Sequence, residues 1–329
     1  MAFQLGNVCS CKRKSMTPSY QGFVIGNDDI VRVENSGIPE SYRNSVEATG
    51  SIISMDATSK KNHYCTGALI APAEGQILQR VIANAHCFAA SADPQNALAP
   101  WACNDTRIIF GIKFDDLSKF RIGRCKAGSL RVDSKADIAI FDLAEPLDAG
   151  VIPFVISGEN KPVGTLAYVV HHPVIDKNMV TPQGMNFKVP SSVLTQENCA
   201  LQLKEELSRG GDDLFAYDLA HSCDIIAGSS GAPIISQATH EIIGLNWGGI
   251  EWGGNGSELK ENRAISSGYL KAFVDNNTES YVSLNPPPSE VKNGGSIGAA
   301  SRDTSETALR NGSSFFNGKG CSMFQSVSK

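Results

Sequence analysis

Long apolar runs are missing from this 329-residue chain, and no stretch approaches the roughly 20 residues a helix needs to cross a bilayer. Excess positive charge is missing too. With 29 Lys and Arg against 34 Asp and Glu, the net charge of -5 offers no general attraction for nucleic acid or anionic membrane. Met1 to Val8 is too short and too polar for the core of a signal peptide, and the basic run Lys12-Arg13-Lys14 follows it instead of preceding it. No internal repeat recurs at a fixed period. Zinc-type spacing is lacking, because no two CxxC pairs face each other; Cys9-Ser10-Cys11 is only a CxC near one end. Helical windows are few. The main one is Gly268-Tyr-Leu-Lys-Ala-Phe-Val274, whose apolar residues share a face.

Cysteine and glycine, by contrast, are plentiful. Six of the nine cysteines fall by position into pairs, Cys65 with Cys87, Cys103 with Cys125 and Cys199 with Cys223, leaving Cys9, Cys11 and Cys321 over. So many cysteines without metal spacing read as structural disulfides, which places the chain in an oxidising compartment, secreted or periplasmic. The 31 glycines suggest many tight turns. Between them lie short β-branched and aliphatic runs, at residues 50–54, 67–70, 77–83, 107–111, 137–141, 164–170, 232–235 and 241–247. Each is about the length of a strand and is bounded by turn residues, so the expected fold is all-β, a sandwich or barrel. From Asn285-Pro-Pro-Pro-Ser289 onward the texture turns to Gly, Ser and Asn, the composition of a disordered tail.

The strongest local signal is His221-Ser-Cys-Asp-Ile-Ile-Ala-Gly-Ser-Ser-Gly-Ala-Pro-Ile234. A serine hydroxyl is a poor nucleophile until a base removes its proton, and the intermediate it forms needs aimed donors for its oxyanion. A Gly-Ser-Ser-Gly turn exposes Ser230 and lets the backbone N–H groups of Gly228 and Ser230 converge. Taken alone it is equally a turn between two strands. In Val81-Ile-Ala-Asn-Ala-His-Cys87 a histidine ends an apolar strand beside a cysteine that can anchor it, as a general base requires. Ala136-Asp-Ile-Ala-Ile-Phe141 begins an apolar strand with a carboxylate, which, buried, fixes a histidine tautomer. Asp133 and Asp142 compete for that role. His63, His171, His172, His221 and His240 read as ordinary surface or core side chains.

The order His86, Asp137, Ser230 with these flanking residues resembles the trypsin-like serine peptidases. Within them it is most similar to the bacterial branch of glutamyl endopeptidases. Val24-Ile-Gly-Asn-Asp-Asp-Ile-Val-Arg-Val33 looks like that branch's entry to the mature domain, and Glu241-Ile-Ile-Gly-Leu-Asn-Trp-Gly-Gly249 like its pocket-lining strand. The resemblance spans roughly residues 22 to 275. It implies a chymotrypsin-like fold of two six-stranded antiparallel β-barrels with a short C-terminal helix. The expected division is an N-terminal extension over 1–44, a first barrel over 45–150 carrying His86 and Asp137, a second over 151–283 carrying Ser230, and the tail over 284–329. It implies an endopeptidase working through an acyl-enzyme without metal or cofactor, on protein or peptide substrates. Ser229 stands where animal trypsins carry the aspartate that binds a new N-terminus, so other contacts must set the turn. Residues 1 to about 22 read as a propeptide cut near Lys12-Arg13-Lys14, or as a flexible end.

Expected pocket residues are Asp224, Asn246 and Gly248. Glutamate-preferring members carry histidine where this chain has Asn246. Asp224, six residues before Ser230, sits where trypsin uses aspartate to select Lys or Arg. Alternatively it points away from the pocket and serves its loop. Gly248 would leave the pocket mouth open. The α/β-hydrolase alternative needs Asp and His after the serine and more helix than this. A second class is a catalytically silent protease-fold binding or adhesion protein, its pocket blocked by Trp252 or by the N-terminal segment.

Overall fold

In the computed structural model the described residues are 15–19, 22–34, 38–55, 62–71, 79–89, 98–99, 102–147, 150–203, 217–253 and 259–276. All belong to one compact unit spanning Met1–Asn285. The tail with Cys321, the Cys9–Cys11 pair and the basic run at 12–14 lie outside the described residues.

The architecture is mostly β. In chain order the strands begin with β1 (Ser15–Ser19) and β2 (Val31–Arg32), followed by helix α1 (Glu40–Ala48). A first set follows: β3 (Thr49–Met55), β4 (Asn62–Ile70), β5 (Arg80–Ala83), β6 (Thr106–Phe110), β7 (Arg121–Arg124), β8 (Arg131–Asp133) and β9 (Ile138–Asp142). The second set opens with β10 (Ala167–His171), the short β11 (Met179–Val180) and β12 (Val189–Pro190), β13 (Val193–Thr195) and β14 (Leu201–Gln202). It continues through β15 (Asp218–His221), β16 (Pro233–Ser236), β17 (Ile242–Gly253) and β18 (Leu259–Ser266) to helix α2 (Ser267–Asp275).

The strands form two large antiparallel, barrel-like sheets and a separate two-stranded pair, β11 with β12. One has seven strands in the order β7-β6-β3-β4-β5-β9-β8; the other has nine, in the order β14-β15-β18-β17-β16-β10-β13-β2, with β1 added on β17. The second count exceeds six partly because the N-terminal segment contributes two strands, β1 and β2, to a sheet otherwise built far downstream. Central strands are buried on both faces, as at β5, which explains their unbroken apolar runs. The core cluster joins both sheets through Ile82, Ile140 and Phe141 on one side and Tyr168, Leu245 and Trp247 on the other.

Helix α2 covers the expected 268–274 window and buries Leu270, Phe273 and Val274. It is tied to the first sheet by the Tyr269 hydroxyl donating to Asp133 Oδ2 at 2.6 Å. Helix α1 had no clear sequence signal. Only Val46 and Ala48 of its apolar residues are buried, and it is held by tertiary contacts. Tyr42 stacks on Tyr168 of β10 with ring centroids 4.2 Å apart, and the Ser45 and Tyr168 hydroxyls pair at 2.7 Å. Three disulfides, Cys65–Cys87, Cys103–Cys125 and Cys199–Cys223, join the six cysteines as their positions suggested.

Candidate active site

His86 stands in a single 3-10 turn, Ala85–Phe88, directly after β5. Asp137 immediately precedes β9, which pairs with β5. The sheet therefore brings two residues 51 positions apart into contact, with His86 Nδ1 at 2.7 Å from Asp137 Oδ2. The other carboxylate oxygen accepts the His86 backbone N–H at 2.9 Å, so one side chain fixes both the ring and the main chain that carries it. Asp137 is 1% exposed and adopts φ +57°, a left-handed conformation unusual for a residue with a side chain. Asn84 holds it there by donating to the Asp137 carbonyl at 2.9 Å. The two sulfurs at Cys65 and Cys87 lie within 4.8 Å of a His86 nitrogen, but they are joined to each other and offer no thiolate to a metal.

Ser230 lies on the turn before β16 and is buried. Its carbonyl accepts the Thr66 N–H at 2.8 Å, while the Thr66 hydroxyl donates to the Gly228 carbonyl at 2.9 Å. Cys65, the neighbour of Thr66 on β4, is bonded to Cys87, the neighbour of His86. Two adjacent residues of β4 thus hold the serine turn and the histidine turn. The packing is close. A Cβ on Gly231, at φ +83°, would collide with the Thr66 carbonyl oxygen and stand 3.2 Å from Ala83 Cα. Gly228, at φ +91°, is equally hemmed in, with a Cβ falling 2.8 Å from the His172 carbonyl oxygen. Within the turn the N–H of Ser229 donates to Ile226, that of Gly231 to Asn246 and that of Ala232 to Ser229.

Ser229, in place of the trypsin aspartate, is held by a histidine the sequence had marked as ordinary. His171 Nδ1 lies 2.7 Å from Ser229 Oγ and its Nε2 3.2 Å from Thr195 Oγ1. Because the single Thr195 hydroxyl proton is donated to the Asp224 carbonyl, the oxygen must accept from Nε2–H. Nδ1 then accepts from Ser229, whose oxygen accepts the Ile226 N–H. Burial, and next the neighbouring His172, push the His171 pKa down to about 3, so this chain of bonds is made by a neutral ring.

The expected pocket residues occupy different settings. Asn246 is buried; its Nδ2 donates to the Ser229 carbonyl at 2.9 Å and its Oδ1 pairs with His221 Nε2 at 3.3 Å. Gly248 follows a bulge in the β17–β18 pairing and lies opposite Arg263. Asp224 is 1% exposed, and its two oxygens accept the N–H groups of Ile25 at 2.6 Å and Asp29 at 3.0 Å. Burial, then a hydrogen bond to and the charge of Asp224, then the charge of Glu197, raise the Asp29 pKa to about 7. The Trp252 side chain lies outside the described residues. Two groups beside the site had no local signature. Glu261 pairs with Arg263 Nη2 at 2.7 Å, and Asn262 is fully buried and bonded to the Phe23 peptide.

A family model described as lysyl endopeptidase, C-terminal domain, matches residues 33–262, more than half of the chain. No curated protein matches. Among solved structures, one of a Glu endopeptidase in complex with MPD is similar, at 16% identity and a TM-score of 0.44, covering 77% of this chain and 97% of that one.

Proposed function

This chain belongs to the family of the lysyl endopeptidase C-terminal domain, and from that membership we propose that it is an exported serine endopeptidase with Ser230, His86 and Asp137 as its catalytic triad. The observation that carries the assignment is the buried His86–Asp137 pair, in which one carboxylate holds both the imidazole Nδ1 and the His86 N–H. That arrangement leaves Nε2 as the basic nitrogen and stabilises the ring when it becomes charged.

In this reading Ser230 Oγ bonds to the peptide carbonyl carbon while His86 Nε2 takes the hydroxyl proton. The oxyanion is met by the N–H groups of Gly228 and Ser230. The C–N bond breaks as His86 returns the proton to the leaving amine, giving an acyl-enzyme. Water, deprotonated by His86, then releases the acid and restores Ser230. For the residue before the cut bond we propose Lys or Arg. The family description and the position of Asp224 ahead of Ser230 support a basic choice. The three disulfides support an oxidising compartment, and among the described residues no helix is long and apolar enough to cross a membrane.

The second reading, a silent protease-fold binding protein, is favoured by the contact of the N-terminal segment with β17. A mixed peptide library mapped by mass spectrometry, with Ser230→Ala alongside, separates the two. Cuts after Lys or Arg, absent in Ser230→Ala and shifted in preference by Asp224→Ala, are expected. Cuts after other residues refute the basic preference. Cuts that persist in Ser230→Ala refute the nucleophile.

A further inference from the structure

The outer face of the first sheet carries two arginines set directly against each other. Arg107 of β6 is the register partner of Arg124 of β7, and Ile109 is that of Ile122. Side chains alternate along a strand, so with Ile108 turned into the main core these four residues share the outward face. Like charges directly opposite each other destabilise an antiparallel pair. Other arginines of this sheet meet carboxylates: Arg80 pairs with Asp142 at 2.9 Å and Arg121 with Glu47 at 2.8 Å. Among the described residues Arg107 and Arg124 have no such partner, and both are exposed.

The arginine pair stands between two cavities. The larger, about 430 Å³, has Ile53, Ile109 and Phe187 as its apolar lining and amides from Asn62, Asn104 and Asn186. That volume lies within the ~300–1,000 Å³ usual for ligand pockets. The smaller, about 250 Å³, runs past Ile122 to Pro146. Arg107 and Arg124 line both, and no residue of the proposed triad lines either. Asp105 borders the larger cavity and Glu145 the smaller, but neither forms an ion pair with the arginines. The walls are fixed before a ligand arrives. Cys125, next to Arg124, is bonded to Cys103, from which the Asn104–Asp105 wall leads into β6. On the other side the Tyr64 hydroxyl donates to the Lys188 carbonyl at 3.2 Å, tying the Asn186–Phe187 wall to β4.

We infer that this double cavity is an exosite for an extended acidic segment of a protein substrate, with carboxylates over Arg107 and Arg124 and an apolar side chain against Ile53, Ile109 and Phe187. Each guanidinium can take a carboxylate through two parallel hydrogen bonds, and clustered arginines are a recurrent device for reading acidic motifs. In a chain of net charge -5 the pair is a local exception to the general repulsion of acidic segments. A small anion would be satisfied by the arginines alone. Two cavities meeting at them favour a ligand long enough to cross from one to the other. The site would act on substrate capture and leave bond breaking unchanged. That a substrate brings the segment rests on the serine endopeptidase reading above.

The binding test uses the full-length oxidised protein with Ser230→Ala, so that no peptide is consumed, and fluorescein-labelled Glu-Glu-Phe-Glu-Leu-Glu read by anisotropy. Exchanging every Glu of the peptide for Gln should weaken binding tenfold or more, and this comparison needs no change at the cavity. Adding Arg107→Ala with Arg124→Ala should do the same, whereas Arg107→Lys with Arg124→Lys should restore part of the loss. Exchanging Phe and Leu of the peptide for Ala should weaken binding at least threefold. Equal binding of the Gln peptide, or by an alanine variant whose circular dichroism matches the parent, overturns the exosite. Unchanged binding of the Ala peptide together with displacement by low-millimolar inorganic phosphate overturns it too, and marks a site for free anions. In the enzyme with Ser230 intact, a Lys-containing peptide extended by the acidic segment should lose about tenfold in kcat/KM on the double alanine change, mostly through KM. The same peptide without the segment should be cut at an unchanged rate. Binding without hydrolysis of any peptide would overturn the endopeptidase reading and leave the acidic-segment site; hydrolysis without binding would do the reverse.

Discussion

Three fully buried histidines make acid stability the sharpest prediction. Burial is the first cause in each case, and it holds His171 at about 3 and His172 and His221 at about 4. In the unfolded chain a histidine titrates near ~6.5. A ring whose folded pKa is depressed binds its proton only after unfolding, so its contribution is complete above about pH 6.5 and is lost as pH falls toward the folded value. At pH 5 each ring would weaken the fold by roughly 2 kcal/mol, from about 1.5 pH units at 1.36 kcal/mol each. Together that is about 6 kcal/mol, comparable with the whole stability of many domains. Asp29 works the other way. Its raised carboxyl takes a proton in the folded state between about pH 7 and its ordinary range, so stability from that group rises as pH falls. A comparison that cancels it is therefore preferable. Urea titrations followed by circular dichroism at several pH values between 4 and 6 should give a slope for His171→Gln shallower than the parent by about 1.4 kcal/mol per pH unit. Identical slopes, or an imidazole NMR titration placing His171 near 6.5, would refute the buried neutral network around Ser229.

Asp137→Asn should keep the fold and lower peptide hydrolysis by about 10⁴-fold, because the amide no longer fixes the required tautomer of His86; turnover with a peptide substrate measures it. Replacing Cys65 and Cys87 by alanine should cost about 3 kcal/mol in denaturant titration, from a closed loop of 22 residues, and should lower peptide hydrolysis as well, because the His86 turn and the Ser230 turn both hang from β4. Gly231→Ala should destabilise by more than about 2 kcal/mol, combining a left-handed backbone with a clash on the Thr66 carbonyl; thermal unfolding reads it, and a neutral effect would mean the turn is looser than described. Hydrogen exchange over residues 22–29 should become faster, beyond its intrinsic pH dependence, as pH passes about 7 and Asp29 ionises against Asp224; Asp29→Asn should remove that step.

Much of the architecture could be read along the chain because it rests on local pattern. The short apolar runs at 50–54, 67–70, 107–111 and 137–141 became β3, β4, β6 and β9, since strand length and bounding turn residues are properties of a few neighbours. The three cysteine pairs and the Ala136–Phe141 and Val81–Cys87 motifs were likewise visible as residue types in order. Their meeting depends on the β5–β9 pairing, which puts His86 and Asp137 at 2.7 Å.

Other features had no local trace because their partners lie far apart in sequence. Helix α1 is weak in its own right and stands by stacking on Tyr168. His171 looked like any buried histidine until the fold set it against Ser229 and Thr195. Asp224 read either as a pocket carboxylate or as one serving its loop, and tertiary structure surrounds it with N–H groups from residues nearly 200 positions upstream. Phe23 and Asn262 are separated by 239 residues and share a pair of hydrogen bonds that neither neighbourhood announces. Sequence determined which groups with chemical capacity are present and in what order, because strand runs, turn residues and side-chain chemistry are local. Which of those groups touch was decided by sheet pairing, because a contact between distant segments exists only once the chain has closed on itself.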